Sequence, residues 1–282
     1  MKNIFIIIIA LVLSLLFSCS CAETADETEL SLLAINVGKA DALLLRSGET
    51  TYLIDTGSKK SAGTLISVLR SEGVDRLTGV ILTHTHADHV GGLKTLLDSG
   101  IVIENIYTSK YYVLKKEDGK HPVEKAIKKK NYEITWLSGG DELPLDGGKL
   151  TVLGPLELND EAENCNSLVL LAEGGGGGSI MLTGDMEFPE EDSLLKASVV
   201  PQADVLKIGN HGEGDATSRQ LVITVQPKLA VISTDSDEEP DTPDPRVIRL
   251  LNDQGIEYAI TQNSENGILV TIRSGEISVK DK

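Results

Sequence analysis

The sequence predicts an α/β fold in which two β-sheets pack face to face and helices cover their outer faces. Three observations predict it. Short apolar runs of strand length recur in two groups between Leu30 and Ile272. Segments with apolar residues at helical spacing are interleaved with both groups. No linker-like stretch separates the groups, so a single domain over 30–282 is expected.

Taken in order, the runs 30–37, 42–46 and 51–54 are separated by glycine-containing turns and read as a β-meander. Leu65, Ile66, Val68 and Leu69 give 61–71 a helical pattern that stops at Gly73. A buried strand over 80–83 leads into a run of histidines, and 92–99 is a short helix ended by Gly100. The second set of strands comprises 101–108, 133–137, 150–153, 168–172 and 179–183. After these come a strand at 205–208, a helix around 217–225 and a strand at 229–233. A last helix over 245–254 precedes strands at 256–260 and 267–272. Gly174 to Gly178 reads as a hairpin tip, because a phosphate-cradling loop needs a following helix and 179–182 reads as strand. The basic segment 110–130, with Tyr111, Tyr112 and Tyr132, reads as a solvated helical face, and the acid- and proline-rich stretch 235–244 as a surface loop.

The first 22 residues read as an export signal. Lys2 supplies the positive start, and 4–17 is an almost unbroken apolar run, shorter than the ~20 residues needed to span a bilayer. Leu16-Phe17-Ser18-Cys19 is similar to a bacterial lipobox with Cys19 as the lipid-bearing residue; Ser20-Cys21-Ala22 offers an ordinary cleavage site instead. A polar spacer, 23–29, precedes the domain. The expected location is the outer face of the cell membrane as a lipoprotein, or the medium. Past the signal region Cys165 stands alone, so no internal disulfide framework is expected.

With 26 basic and 43 acidic residues the formal net charge is −17. Nucleic-acid affinity rests largely on Lys and Arg neutralising phosphates, so no extended nucleic-acid surface is expected.

Three of the five histidines fall within six positions, in His84-Thr85-His86-Ala87-Asp88-His89. On a loop after a buried strand, His84 and His86 can point the same way, and the turn then aims Asp88 and His89 at a second point nearby. Imidazole and carboxylate suit Zn²⁺ or similar ions, and three such histidines would build a poor core. Asp55, Asp185 and His211 each also follow a strand-like run, and strand ends at one edge of a sandwich converge.

Asp55-Thr56-Gly57, the 84–89 run, Thr183-Gly184-Asp185 and His211-Gly212 together resemble the metallo-β-lactamase superfamily. In finer detail the chain is similar to the metallo-hydrolase domain of the ComEC DNA-uptake proteins. Val37-Gly38-Lys39-Ala40-Asp41-Ala42 resembles that group's Val-Gly-Gln-Gly-Asp-Ala, and Asn164-Cys165-Asn166-Ser167-Leu168 its Asn-x-Asn-Ser-Leu. The resemblance implies an αββα sandwich of two mixed sheets with a metal site in the cleft between sheet edges. It implies two divalent ions, Zn²⁺ foremost with Mn²⁺ as the alternative. His84 and His86 would hold the first, and Asp88, His89 and His211 the second; Asp185 would bridge them and Asp55 would orient a ligand or the water. Asp88, Asp55 and Asp185 are the expected catalytic acids, acting on a hydroxide that bridges the metals.

The chain also departs from the pattern. True β-lactamases place a further histidine on the first metal, whereas here only His121 lies between the histidine run and Asp185, beside Pro122 in the basic segment. Asn166 and Asn210 are expected as substrate or weak metal contacts. Asn210 stands where the ComEC group has a histidine, and 240–245 where it has His-Pro-His-Pro. The expected activity is hydrolysis of a phosphodiester, on a small or locally bound phosphoester. The alternatives are hydrolysis of a lactone, β-lactam or thioester, and a non-catalytic metal-binding lipoprotein.

Overall fold

Alternate residues of the central strands face two different cores, which is why those strands are mostly apolar on both faces. In β1 (Leu30–Ile35) of the computed structural model, Leu30, Leu32 and Ala34 point between two sheets, while Leu33 and Ile35 point outward under helices. In β2 (Leu43–Ser47), Leu43 and Leu45 point inward and Leu44 outward. Strands buried on both faces read as unbroken hydrophobic runs. The structure describes residues 28–111 and 122–282; the signal region with Cys19, most of the spacer, and His121 lie outside them.

One sheet has eight strands in the order β17-β16-β1-β2-β3-β5-β7-β8. The strands not yet placed are β3 (Thr50–Ile54), β5 (Gly79–Leu82), β7 (Ile106–Ser109), β8 (Ile134–Leu137), β16 (Gly267–Arg273) and β17 (Glu276–Asp281). The other has seven in the order β15-β14-β13-β12-β11-β10-β9. It contains β9 (Glu142–Leu145), β10 (Gly148–Gly154), β11 (Val169–Glu173), β12 (Ser179–Leu182), β13 (Val205–Lys207), β14 (Leu229–Ile232) and β15 (Glu257–Ile260). Leu32, Leu45, Ile54 and Ile81 of the first sheet meet Leu150, Leu170, Leu182 and Val231 of the second.

The outer face of the first sheet is covered by α1 (Ala62–Ser71), α3 (Leu93–Asp98) and α4 (Pro122–Lys129), through Leu65, Leu69, Leu93, Leu96 and Ile127. The second is covered by α5 (Phe188–Lys196), α6 (Arg219–Val225) and α7 (Pro245–Asp253), through Leu194, Leu221, Val225, Leu250 and Leu251. A one-turn helix, α2 (Ala87–Val90), follows the histidines. The architecture is the expected αββα sandwich of two mixed sheets.

Several elements differ from the sequence reading. The run 101–108 is divided: β6 (Val102–Ile103) leaves to pair with β4 (Arg76–Leu77) in a separate ribbon, and Glu104-Asn105 lead into β7. Strands β9 and β17 and helix α5 are additional. The 174–178 glycines do form the turn of the β11–β12 hairpin, closed by Gly174 N–H donating to the Gly178 carbonyl at 2.8 Å.

Two blocks of parallel pairing position the site. Strands β3, β5, β7 and β8 run parallel in one sheet, and β12, β13, β14 and β15 in the other. Asp55, Thr83-His84, Gly184-Asp185 and Asn210-His211 all follow carboxyl ends of these strands. The crevice beyond such ends is where open α/β sheets bind ligands.

Candidate metal centre

Three imidazoles converge on one carboxylate oxygen. Oδ2 of Asp185 lies 3.0 Å from His89 Nε2, 3.5 Å from His211 Nε2 and 3.7 Å from His84 Nε2. His211 Nε2 is also 3.4 Å from Asp88 Oδ2.

Each converging histidine is held from behind through Nδ1. The Thr83 backbone N–H and hydroxyl donate to Asp55 at 2.8 and 2.7 Å. Asp55 Oδ2 lies 2.7 Å from His89 Nδ1 and so fixes that proton on Nδ1. Having spent its own proton on Asp55, the Thr83 hydroxyl accepts from His84 Nδ1 at 3.1 Å. His211 Nδ1 donates to the Ser233 carbonyl at 2.9 Å. One proton of each ring is thereby placed on Nδ1, and Nε2 is the atom aimed at the cleft, as metal-ligating histidines require.

The Asp55-Thr56-Gly57 turn acts as a unit. Asp55, at φ 60°, orients the His89 ring. The Thr56 N–H and hydroxyl donate to the His89 carbonyl at 2.6 and 2.9 Å. Thr56 also sets the glycine that follows: a Cβ on Gly92 would lie 2.1 Å from its carbonyl oxygen. On the opposite sheet Asn210, His211 and Gly212 have φ of 44°, 54° and 84°. Successive left-handed residues of this kind cost energy and cluster at functional sites.

The donors fit divalent cations. His84 Nε2, His211 Nε2 and Asp185 Oδ1 are buried with no hydrogen-bond partner, an arrangement proteins avoid unless a ligand satisfies the atoms. Two overlapping sets have ligand atoms within 4.8 Å of one another: Asp88, His89, Asp185 and His211, and His84, His86 and Asp185. The charge pattern agrees. Burial opposes the imidazolium of His89, but Asp185 and Asp55 outweigh it and raise its pKa well above 6.5. Burial likewise opposes protonation of His211, yet Asp185 and Asp88 raise its pKa to about 9. His84 is driven the other way, by burial and the charge of His89. Burial would raise the Asp185 carboxyl, but His89 and His211 hold it well below the usual carboxylate range. The interior thus favours positive charge at this spot.

The structure brings together Asp55, His84, His86, Asp88, His89, Asp185 and His211. His86 is the most exposed, with its Nε2 3.8 Å from Glu163 Oε2. Asn166 and Asn210 are used otherwise. Asn166 receives the Asn159 N–H on Oδ1 and donates from Nδ2 to the Asn159 carbonyl, both at 2.8 Å, so its amide ties down the 159–162 loop. The neighbouring Ser167 is the residue that reaches the cluster, accepting from the Asp185 N–H at 3.2 Å. Asn210 donates from Nδ2 to Asp215 at 3.2 Å.

Sequence reasoning also passed over a buried ion pair behind the cluster. Lys207 Nζ lies 2.6 Å from Asp41 Oδ2, and both side chains are excluded from solvent. Asp41 Oδ1 is 3.8 Å from His211 Nδ1, the Asp41 N–H donates to the Asp88 carbonyl and its carbonyl accepts from the Gly57 N–H. The available signal was a lysine inside the apolar strand Val205-Leu206-Lys207-Ile208.

The sequence profile of the Metallo-beta-lactamase superfamily matches residues 35–236. The chain belongs to this superfamily. It is 29% identical to ComE operon protein 3 of Bacillus subtilis (strain 168) over 276 residues, 92% of this chain and 34% of that protein. It is 31% identical to Recombination protein 2 of Haemophilus influenzae over 205 residues, 71% of this chain and 24% of that protein. The chain therefore spans about a third or less of these curated relatives. Among solved structures, the metallo-beta-lactamase fold protein YhfI from Bacillus subtilis superposes with a TM-score of 0.57 at 15% identity, over 86% of this chain and 99% of that one. A diphosphatase from the PhnP family superposes with a TM-score of 0.53 at 13% identity, over 86% and 97%. At these identities the structural likenesses establish the fold alone.

Proposed function

We propose that this metallo-hydrolase cleaves phosphodiesters in small substrates outside the cytoplasm. The observation that carries the reading is the asymmetric donor set around Asp185 Oδ2. One side offers Asp88, His89 and His211, and the other only His84 and His86. A third imidazole on the second side would favour carbonyl substrates, and among the described residues none approaches it. The names of the curated relatives, a ComE operon protein and a recombination protein, also favour phosphodiester chemistry.

Two divalent ions, when bound, supply Lewis acidity and an activated water at neutral pH. The chain's own residues do the rest. Thr83, Asp55 and the Ser233 carbonyl hold the Nδ1 protons, so His84, His89 and His211 present lone pairs. Asp185, steadied by Ser167 on its N–H, offers carboxylate to both sides. Asp88 is partly solvated and reaches toward His211, its Oδ2 3.4 Å from His211 Nε2, and would be a carboxylate able to hold a proton beside the bound ions. The net charge of −17 disfavours a long polyanion and favours a compact phosphoester. Export through the 1–22 signal, with lipid on Cys19 holding the domain at the membrane face, belongs to the same proposal. Among the described residues no helix is long and apolar enough to cross a membrane.

The test is turnover of bis-p-nitrophenyl phosphate, a lactone and nitrocefin by metal-reconstituted protein, with Asp88→Ala and His86→Ala as controls. Phosphodiester turnover lost in both variants is expected. Turnover surviving both substitutions overturns the two-ion assignment, and metal binding without turnover of any ester overturns the catalytic reading.

A further inference from the structure

We propose that Lys39 anchors the anionic oxygen of the substrate and that Glu213 occupies it competitively when no substrate is bound. This rests on the phosphodiester reading. Lys39 sits in the tight turn 37–42, where the ComEC-like pattern has glutamine, so the charge is a feature of this chain. The turn is fixed on both sides. The Ala40 N–H donates to the Gly38 carbonyl at 2.8 Å, and the Lys39 N–H donates to Glu238 Oε2 at 3.1 Å. The Asp41 N–H donates to the Asp88 carbonyl, so the turn is bonded directly to the metal-binding loop.

The ammonium lies 2.7 Å from Oε1 of Glu213, a residue two positions beyond His211, with about a fifth of the Lys39 side chain exposed. Burial works against its charge, but Glu213 and the negative fields of Asp88 and Asp185 outweigh burial and raise the Lys39 pKa. Lys39 is therefore charged, and its turn is tied to the metal-binding loop by the Asp41 N–H bond to the Asp88 carbonyl. Lys207 cannot play this part, since it is wholly buried and paired with Asp41. Near the cleft Glu163 approaches His86, and the charges of Asp185, Asp215 and Glu213 all act on Glu187. A phosphoester entering past these carboxylates would meet the bound ions and, beside them, the Lys39 ammonium as a further cation.

A plain salt bridge clasping two loops is the rival explanation, and the two partners separate it from an anchor. In an anchor, removing Glu213 frees the cation and strengthens anion binding; in a clasp, removing either partner weakens the site alike. The experiment is calorimetric titration of inorganic phosphate into the zinc-loaded full chain, with metal content checked by mass spectrometry. Lys39→Gln is expected to weaken phosphate about tenfold, the scale of one charge-assisted hydrogen bond at a partly exposed site. Lys39→Arg should retain most of the affinity, and Glu213→Gln should tighten it severalfold. Phosphate affinity in Lys39→Gln within about twofold of the parent, against the tenfold expected, overturns the proposal. So does weaker binding in Glu213→Gln. If the anchor fails but bis-p-nitrophenyl phosphate is still hydrolysed, the proposed function stands without it. Lysine-dependent phosphate binding with no ester turnover supports the anchor and removes the reaction.

Discussion

The two halves of the metal centre are built differently although they share Asp185. The inner half draws His89 and His211 from opposite sheets, both excluded from solvent, and each is aimed by a partner on Nδ1. The outer half has His84, equally buried and held by Thr83, but its second histidine is a solvated loop residue beside Glu163. Burial with fixed tautomers lowers the cost of organising ligands, whereas an exposed imidazole must be ordered when the ion arrives. The comparison teaches that the inner half should fill first and the outer half should control whether a second ion is present.

The largest effect is expected where the halves meet. Asp185→Ala should remove both ions and lower turnover by more than about a thousandfold, the scale of losing a central electrostatic group. Elemental analysis with steady-state kinetics checks it; retention of one tightly bound ion would show that the halves do not share Asp185. Next comes Lys207→Met, which strands the buried Asp41 charge behind His211. Breaking one side of a buried pair costs about 3–5 kcal/mol, so urea melts should show a loss of that order. An unchanged midpoint would mean that Asp41 is neutral or hydrated in the fold.

A third substitution separates the halves. Asp55→Asn keeps the shape but loses the carboxylate that fixes His89, and such orienting groups are worth roughly 10- to 100-fold in metal affinity. The tighter of two chelator-competition constants should move more than the weaker, because Asp55 touches His89 directly and reaches His84 only through the Thr83 hydroxyl. Movement of the weaker constant alone would invert the assignment. The smallest effect lies outside both halves and serves as their control. Burial pushes the Glu190 carboxyl up to about 8, with the Leu156 N–H partly opposing it. Its folded pKa exceeds the unfolded value near 4.5, so the folded state holds the extra proton between these values. Its contribution is intact below 4.5 and is lost as pH rises toward 8, by about 1.4 kcal/mol per pH unit at most. Glu190→Gln should flatten that slope in thermal melts without changing metal content.

What was legible follows the same division. The central strands show in the sequence because both faces are buried and few polar residues interrupt them. Helix α5 did not, since Glu190 and Glu191 occupy its buried face with Leu194, and Glu191 accepts from backbone N–H groups of Thr217 and Ser218. Strand β17 is an exposed edge reading Glu-Ile-Ser-Val-Lys-Asp, with little apolar signal. In the site, the acids and histidines of both halves stood out because a core has little use for them. Ser233 acts through its carbonyl, which no side chain announces, and Asn166 was preferred over Ser167 although the hydroxyl is what touches Asp185.

The pairing of β1 has a consequence in time. Its register joins Leu30 to Ile272 and Ile35 to Gly267, so a strand made at the start of synthesis waits for one made near the end. Contacts of such separation make folding slow. The histidine run is made 122 residues (211 − 89) before His211. A nascent chain therefore displays half a chelator to its surroundings well before it can enclose an ion, and which metal is at hand during that interval bears on which one the finished protein carries.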